Sequence, residues 1–271
     1  MKRAALAAFF LIVFAALAQR RGGFFRRDDD ETTFPKRNAE FHFIRTEYLD
    51  LPQHRRGYGF VSREGMGGGW WMQDWPAAEN HFTTGLQRLT RIDAGDPRHF
   101  PLTDDRIFDY PWIYATQTGY WDLSDAETTR LREYLNRGGF LMVDDFWYEE
   151  DWEVFRRTMD RVLPNHPITD IGLSDSVMHV LYDIQQKDLM FIPGSRHLYR
   201  GANGIEVVQP PGTKSAWRAI YDDRNRMVVA VNFETDIGDA WEFADVPYYP
   251  EAMTTLAYRY GINYIIYSMT H

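Results

Sequence analysis

From Glu40 onward the chain alternates between stretches of helical period and short, continuous apolar runs. The clearest stretch begins at Tyr110-Pro111-Trp112-Ile113-Tyr114, a strand pattern. Ser124 and Glu127 then have capping-box spacing, in which the hydroxyl accepts from an orphan amide and the carboxylate reaches back. Leu131, Tyr134 and Leu135 share one helical face, Arg132 and Arg137 complement the negative end of the dipole, and Gly138 supplies a left-handed C-cap. Phe140-Leu141-Met142-Val143 follows without a polar break, as in a strand buried on both faces of a parallel sheet. Strand, capped helix and strand make a βαβ unit ending at Asp144-Asp145. Ligands of open α/β sheets bind beyond the carboxyl ends of the strands, so these two acids mark the expected ligand edge.

The flanking segments extend the pattern. Phe41 to Ile44 reads as a first strand, and residues 51–69, rich in Gly and Arg, as a loop. Pro76 suits the first turn of a helix that Asp74 would cap, with Phe82, Leu86 and Leu89 on its apolar face. Glu149 to Leu163 reads as a helix with Trp152, Phe155, Met159 and Val162 on one side, closed by Pro164. Val177 to Ile184 fits a short strand or a helix. Trp217 to Tyr221 and Met227 to Val231 flank Asp222–Arg226 as a hairpin. Tyr249-Pro250 precedes a last helix with Met253, Leu256, Ala257 and Tyr260 in period, which Gly261 either breaks or weakens. The chain has no internal repeat.

The first 39 residues follow none of these periods. Met1-Lys2-Arg3 is a basic head, Ala4 to Ala18 an apolar run, and Ala16-Leu17-Ala18 a small-x-small cleavage site. The run is short for a membrane span of ~20 residues. It predicts a signal peptide at 1–18, a disordered tether at 19–39 and an α/β domain at 40–271, hence a periplasmic or otherwise exported protein with no membrane span once cleaved. Arg20, Arg21, Arg26 and Arg27 argue the other way, since positive charge after an apolar run favours retention inside.

Charge and composition narrow the function. A net charge of -9 disfavours nucleic acid, whose phosphates need clustered Lys and Arg. With Cys 0 there is no disulfide, no thiolate metal site and no cysteine nucleophile. The run Gly67–Gly69 lacks the Gly-Lys-Ser/Thr ending of a phosphate loop.

Several motifs in order carry a resemblance: Asp74-Trp75-Pro76-Ala77-Ala78-Glu79, Leu123-Ser124-Asp125, Gly138 to Leu141 with Asp144-Asp145, Ile192-Pro193-Gly194, Gly238 to Glu242, and Gly261-Ile262-Asn263-Tyr264 to His271. Over Glu40 to His271 the chain resembles the bacterial domain-of-unknown-function family numbered 4159. The resemblance implies a flavodoxin-like three-layer α/β/α sandwich with a mainly parallel sheet, similar to class I glutamine amidotransferases, to which the C-terminal hairpin is an elaboration. It implies no established reaction. Relatives are often encoded beside MoxR-type ATPases and von Willebrand factor A proteins, which implies an envelope protein as partner. The superfamily's glutaminases use a cysteine, so that activity is excluded here.

Asp144 and Asp145 are the catalytic candidates, as an acid/base pair or a cation site. Neighbours in a strand point to opposite faces, so one of the two is expected in any one cleft. Otherwise one caps a helix and the other pairs with an arginine. Trp71, Asp74, Trp75, Glu79, His81, His179 and Glu242 are the binding candidates. Asp74 and His81 fall near one face of the helix start, and Trp71 and Trp75 offer a stacking platform for a sugar or ring-bearing ligand. Asp175, His179 and Asp183, spaced by four, would form a stripe of ligand-capable groups. Asp239 and Glu242, beside Trp241, are within reach of the same sheet edge. No dedicated metal motif is present and the cofactor is open. These features predict an exported, non-catalytic domain that binds a small molecule, glycan or envelope protein. The alternative is a carboxylate-dependent hydrolase, with or without a metal ion, acting on a glycan or ester in the cell envelope and using Asp144 or Asp145 with His81 or His179.

Overall fold

A computed structural model describes residues 39–55, 61–62, 65–66, 69–202, 204–213 and 216–271. The expected signal peptide at 1–18, residues 19–38 of the expected tether, and Gly67 and Gly68 lie outside the described residues.

The expected βαβ unit is the middle of a seven-stranded sheet. Its strands are β1 (Ile44–Glu47), β4 (Arg98–Pro101), β5 (Trp112–Thr116), β6 (Phe140–Asp144), β7 (Thr169–Asp170), β10 (Ala216–Tyr221) and β11 (Met227–Phe233), in the order β4-β1-β5-β6-β11-β10-β7. The run from β4 to β11 is parallel, while β10 pairs antiparallel with β11 and β7. Two small hairpins, β2 (Val61–Ser62) with β3 (Gly65–Met66) and β8 (Leu198–Gly201) with β9 (Gly204–Val207), stand apart from it.

Strand alternation sorts the core into two layers. Trp112, Tyr114, Phe140 and Met142 face one side, packing with Phe82 and Leu86 of α1 (Ala77–Leu89), Ile237 and Trp241 of α4 (Ile237–Glu242), and Leu256 and Tyr260 of α5 (Glu251–Thr270). Ile113, Ala115, Leu141 and Val143 face the other, against Leu131 and Leu135 of α2 (Asp125–Asn136) and Phe155 and Met159 of α3 (Tyr148–Val162). Each fully buried large side chain contributes roughly 1.5–3 kcal/mol, and both faces of β5 and β6 are covered. The result is a three-layer sandwich.

The local signals act as their chemistry requires. Ser124 and Glu127 close the capping box of α2, and Gly138 takes φ +113 after it. Arg132 donates to the carbonyls of Val162 and Arg161, so it caps the end of α3 while leaving that of α2. Gly261 does not interrupt α5, because an added Cβ would lie 2.7 Å from the rings of Phe82 and Trp241. It lets α5 approach α1 and α4 closely.

Some expectations change. The first strand begins at Ile44, with Phe41 making only an isolated bridge to Ala94. Val177 to Ile184 is neither strand nor helix but a 3-10 turn, Ser176–Met178, and irregular chain after it. Asp74 does not cap α1; the N-cap is Pro76 with no side-chain bond, and Ala78 N–H donates to the Asp74 carbonyl instead. The C-terminal hairpin enters the main sheet, because β11 pairs with β6 as well as β10. That pairing places the end of β11 beside Asp144.

Candidate functional site

The carboxyl ends of β5, β6 and β11 converge on one acidic cleft. Asp144, the last residue of β6, forms its floor. Its Oδ2 accepts from Ile237 N–H (2.7 Å), Gly238 N–H (3.0 Å) and the Tyr114 hydroxyl (3.1 Å), and its Oδ1 from the Thr235 hydroxyl (3.2 Å). A carboxylate with four donors is fixed. It holds the first turn of α4 against the sheet.

Asp145 joins the same cleft by a backbone change that strand alternation does not foresee. β6 ends at Asp144, and Asp145 turns into the left-handed region at φ +51. Its side chain is therefore not sent to the opposite face, and both neighbouring acids serve one cleft. Gln117 and Trp147 Nε1 (2.6 Å) donate to the Asp145 carboxylate, and the Arg196 guanidinium lies 3.3 Å from it. Arg196 also lies over the Trp147 ring, 4.9 Å from its centre. One of the two acids thus pairs with an arginine, as the structural alternative expected, but the other steadies α4 rather than the next helix.

Three further acids come from distant parts of the chain. Asp236 N-caps α4 by accepting from Asp239 N–H (2.8 Å), and Asp239 accepts from Ser195 N–H (2.5 Å). Asp74 arrives from before α1 with Gln73 donating to it (2.7 Å). Carboxylate oxygens of Asp74, Asp145 and Asp236 all lie within 4.8 Å of one another, as do those of Asp74, Asp239 and Glu242. Asp145, Asp236 and Asp239 are buried, while Asp74 and Glu242 are half-buried and open the cleft to solvent.

Such crowding works against ionisation. Burial first, and then Asp239, Asp145 and Glu242, push the Asp74 carboxyl well above the usual range; burial, Asp145 and Asp239 do the same to Asp236. Asp144 is pushed up to about 8 by burial and by Asp145, against the pull of its four donors. Burial raises Asp145 and Asp239 as well, Asp145 against the pull of Arg196, Trp147 and Gln117. Partial burial disfavours the Arg196 charge, but Asp145, Asp236 and Asp239 outweigh it.

Backbone strain gathers here too. Asp74, Gln117, Asp145, Tyr148 and Glu234 all have φ between +51 and +68 without being glycine. Each costs about 1–3 kcal/mol, and such residues concentrate at functional sites. The chain also presses close: a Cβ on Gly194 would meet Asp236 Oδ2 at 2.5 Å, and one on Gly238 would meet the Tyr114 hydroxyl at 3.1 Å.

The remaining predicted residues lie elsewhere. Glu79 is fully buried and pairs with Arg45, whose Nε donates to it at 2.6 Å. Trp71 and Trp75 pack against His99, 5.2 and 5.1 Å between ring centres, so they do not form an open platform. His81 donates from Nδ1 to the Trp241 carbonyl at 3.0 Å and ties α1 to α4. His179 lies between Asp183 (3.0 Å) and the Leu173 carbonyl, while Asp175 caps the 3-10 turn and accepts from Tyr221, so these three form no common stripe. Neither His81 nor His179 shares a partner with the cleft. Asp236, Arg196 and Thr116 escaped the sequence reading. Asp236 had a signal, since an acid three residues before Asp239 and just after a buried strand is an N-cap at the ligand edge.

The family model for a domain of unknown function (DUF4159) matches residues 60–269. The chain belongs to this family. The match takes in β4 to β11 and the described helices α1 to α5 as far as Met269, and with them every acid of the cleft. No curated protein matches the chain. No described helix is long and apolar enough to cross a membrane.

Proposed function

We propose that this member of the DUF4159 family is a binding domain whose site is the acidic cleft, and that it engages its ligand or partner through a positively charged group. The observation that carries this reading is the crowding of carboxyl groups. Oxygens of Asp74, Asp145 and Asp236 lie within 4.8 Å of one another, as do those of Asp74, Asp239 and Glu242, with the Arg196 guanidinium 3.3 Å from Asp145. A bound cation relieves that repulsion in a low-dielectric site, where it is worth far more than in water. The strained residues around the cleft support the same placement.

The full chain, freed of metal, is titrated with argininamide and separately with divalent cations while its thermal unfolding is followed. At least one cation is expected to raise the midpoint in the wild type and to lose that effect in Asp145→Asn. No shift with any of them sinks the reading.

A second reading, the carboxylate-dependent hydrolase, draws on the crowding of Asp145, Asp236 and Asp239, which burial raises above the usual carboxylate range so that neighbouring carboxyls can serve as acid and base. It would not use His81 or His179, which are engaged elsewhere. Glycosidase or esterase turnover lost in Asp145→Asn would favour it over binding alone.

Export rests on residues 1–18 and their cleavage site. Mass spectrometry of the envelope fraction is expected to find an N-terminus at Gln19; an intact Met1 would mean a retained anchor.

A further inference from the structure

We infer that the cation is a hard divalent metal ion, held by Asp74, Asp145 and Asp236, with the hydroxyl of Thr116 facing it. This rests on the cleft being the binding site and specifies what it binds. The three carboxylates supply one oxygen each within 4.8 Å of the others. A single Mg2+ or Ca2+ ion, with metal–oxygen distances of about 2.0–2.6 Å, spans oxygens up to roughly twice that distance apart.

Thr116 is an observation independent of the acids. It ends β5, is 1% exposed, and its Oγ1 has no hydrogen-bond partner in the protein. Thr83, Thr118, Thr128, Thr213 and Thr254 also carry hydroxyls without a protein partner; Thr116 is the one that ends β5 beside Asp144. Alternation along β5 puts Thr116 on the same face as Tyr114, whose hydroxyl meets Asp144. The register places Thr116 directly opposite Asp144 on β6. The side chain therefore lies on the face of the sheet that carries Asp144, where an ion bound beside Asp145, or one of its waters, would satisfy the hydroxyl.

The donor types select the metal class. All are oxygens, three of them carboxylates, which suits Mg2+, Ca2+ or Mn2+ and not a thiolate- or imidazole-seeking ion. His81 and His179 are committed to Trp241 and Asp183, and His197 Nδ1 accepts from Gly194 N–H (3.2 Å). Arg196, half-exposed over Trp147, is the guanidinium that an incoming ion would push aside.

The test is Mn2+ binding to the chelator-stripped full chain, read as loss of the free-ion electron paramagnetic resonance signal, with Ca2+ and Mg2+ as competitors. One ion per chain is expected, with a dissociation constant at or below about 1 mM. Asp145→Asn and Asp236→Asn should each weaken binding at least about tenfold. Thr116→Val keeps the charge and shape and should also weaken it by about tenfold, whereas diffuse attraction to acids would not notice the change. Asp170→Asn, at the exposed edge of β7, should leave it unaltered, and a cooperative melt must show each variant folded. No saturable Mn2+ binding, or binding indifferent to Asp145→Asn and Asp236→Asn, overturns the metal site. If argininamide still stabilises the wild type but not Asp145→Asn, the metal inference alone has failed. If neither probe binds, the cationic reading of the cleft fails with it.

Discussion

Arg45 with Glu79, and the carboxylates around Asp236, are two buried charge clusters at the same edge of one sheet. In the first, a fully buried guanidinium meets a fully buried carboxylate. Arg45 also donates to the Trp71 carbonyl at 3.1 Å and lies 4.7 Å from the centre of the Tyr114 ring. That cluster is balanced within the protein and joins β1 to α1. In the second, like charges face one another, and burial with neighbouring carboxyls pushes Asp74 and Asp236 well above the usual range. The contrast separates acid paired with an arginine inside the protein from acids crowded against one another, where we propose that a cation binds. Burial alone does not make that distinction, since Glu79 and Asp144 are both at 0% exposure. The partners do.

The largest effect expected from breaking this contrast is in the balanced pair. Arg45→Met leaves Glu79 buried without its cation and should cost about 3–5 kcal/mol of stability, seen as a lower denaturation midpoint. Adding Glu79→Leu to it should restore most of that loss, because two apolar residues remove the stranded charge. A single variant as stable as the wild type would show that the pair is not what joins β1 to α1.

A smaller effect of opposite sign is expected in the cleft. With chelator present at pH 8, Asp236→Asn should stabilise the protein by about 1–2 kcal/mol, since it removes one repelling carboxyl yet can still N-cap α4. The sign follows from linkage. A carboxyl raised in the folded state costs stability as pH climbs from its unfolded value toward the folded one, so the gain should be absent at pH 3.5 and present at pH 8. Chemical denaturation at the two pH values measures it. Destabilisation at pH 8 would mean that the carboxyl cluster holds the fold as the Arg45 pair does.

The stretch from Tyr110 to Asp145 was legible in the sequence because its local signals agree. The capping box, the C-cap glycine and the apolar run specify consecutive elements, and each is satisfied within a few residues. The two layers of the core follow from alternation in β5 and β6. What stayed hidden depends on long-range pairing. Asp236 reaches Asp145 only because β11 lies beside β6, and no local pattern announces that neighbour. Asp145 was read by strand alternation, which ceased to apply one residue earlier. His81 and His179 were plausible ligands by residue type; only their partners, Trp241 and Asp183, show them engaged.

The place of β11 also bears on the chain's synthesis. Asp144 and Thr235, which meet in the finished protein, are 91 residues apart. β6 pairs with β5 on one side and β11 on the other, so a chain growing from its N-terminus completes β6 well before its second neighbour exists. Through that interval Phe140 to Val143 is an apolar strand with an open edge, the kind of surface on which chains aggregate. Arrival of residues 227–233 closes the edge and, in the same step, brings Asp236 to Asp145. The acidic cleft can therefore be completed only once β11 and Asp236 have been made.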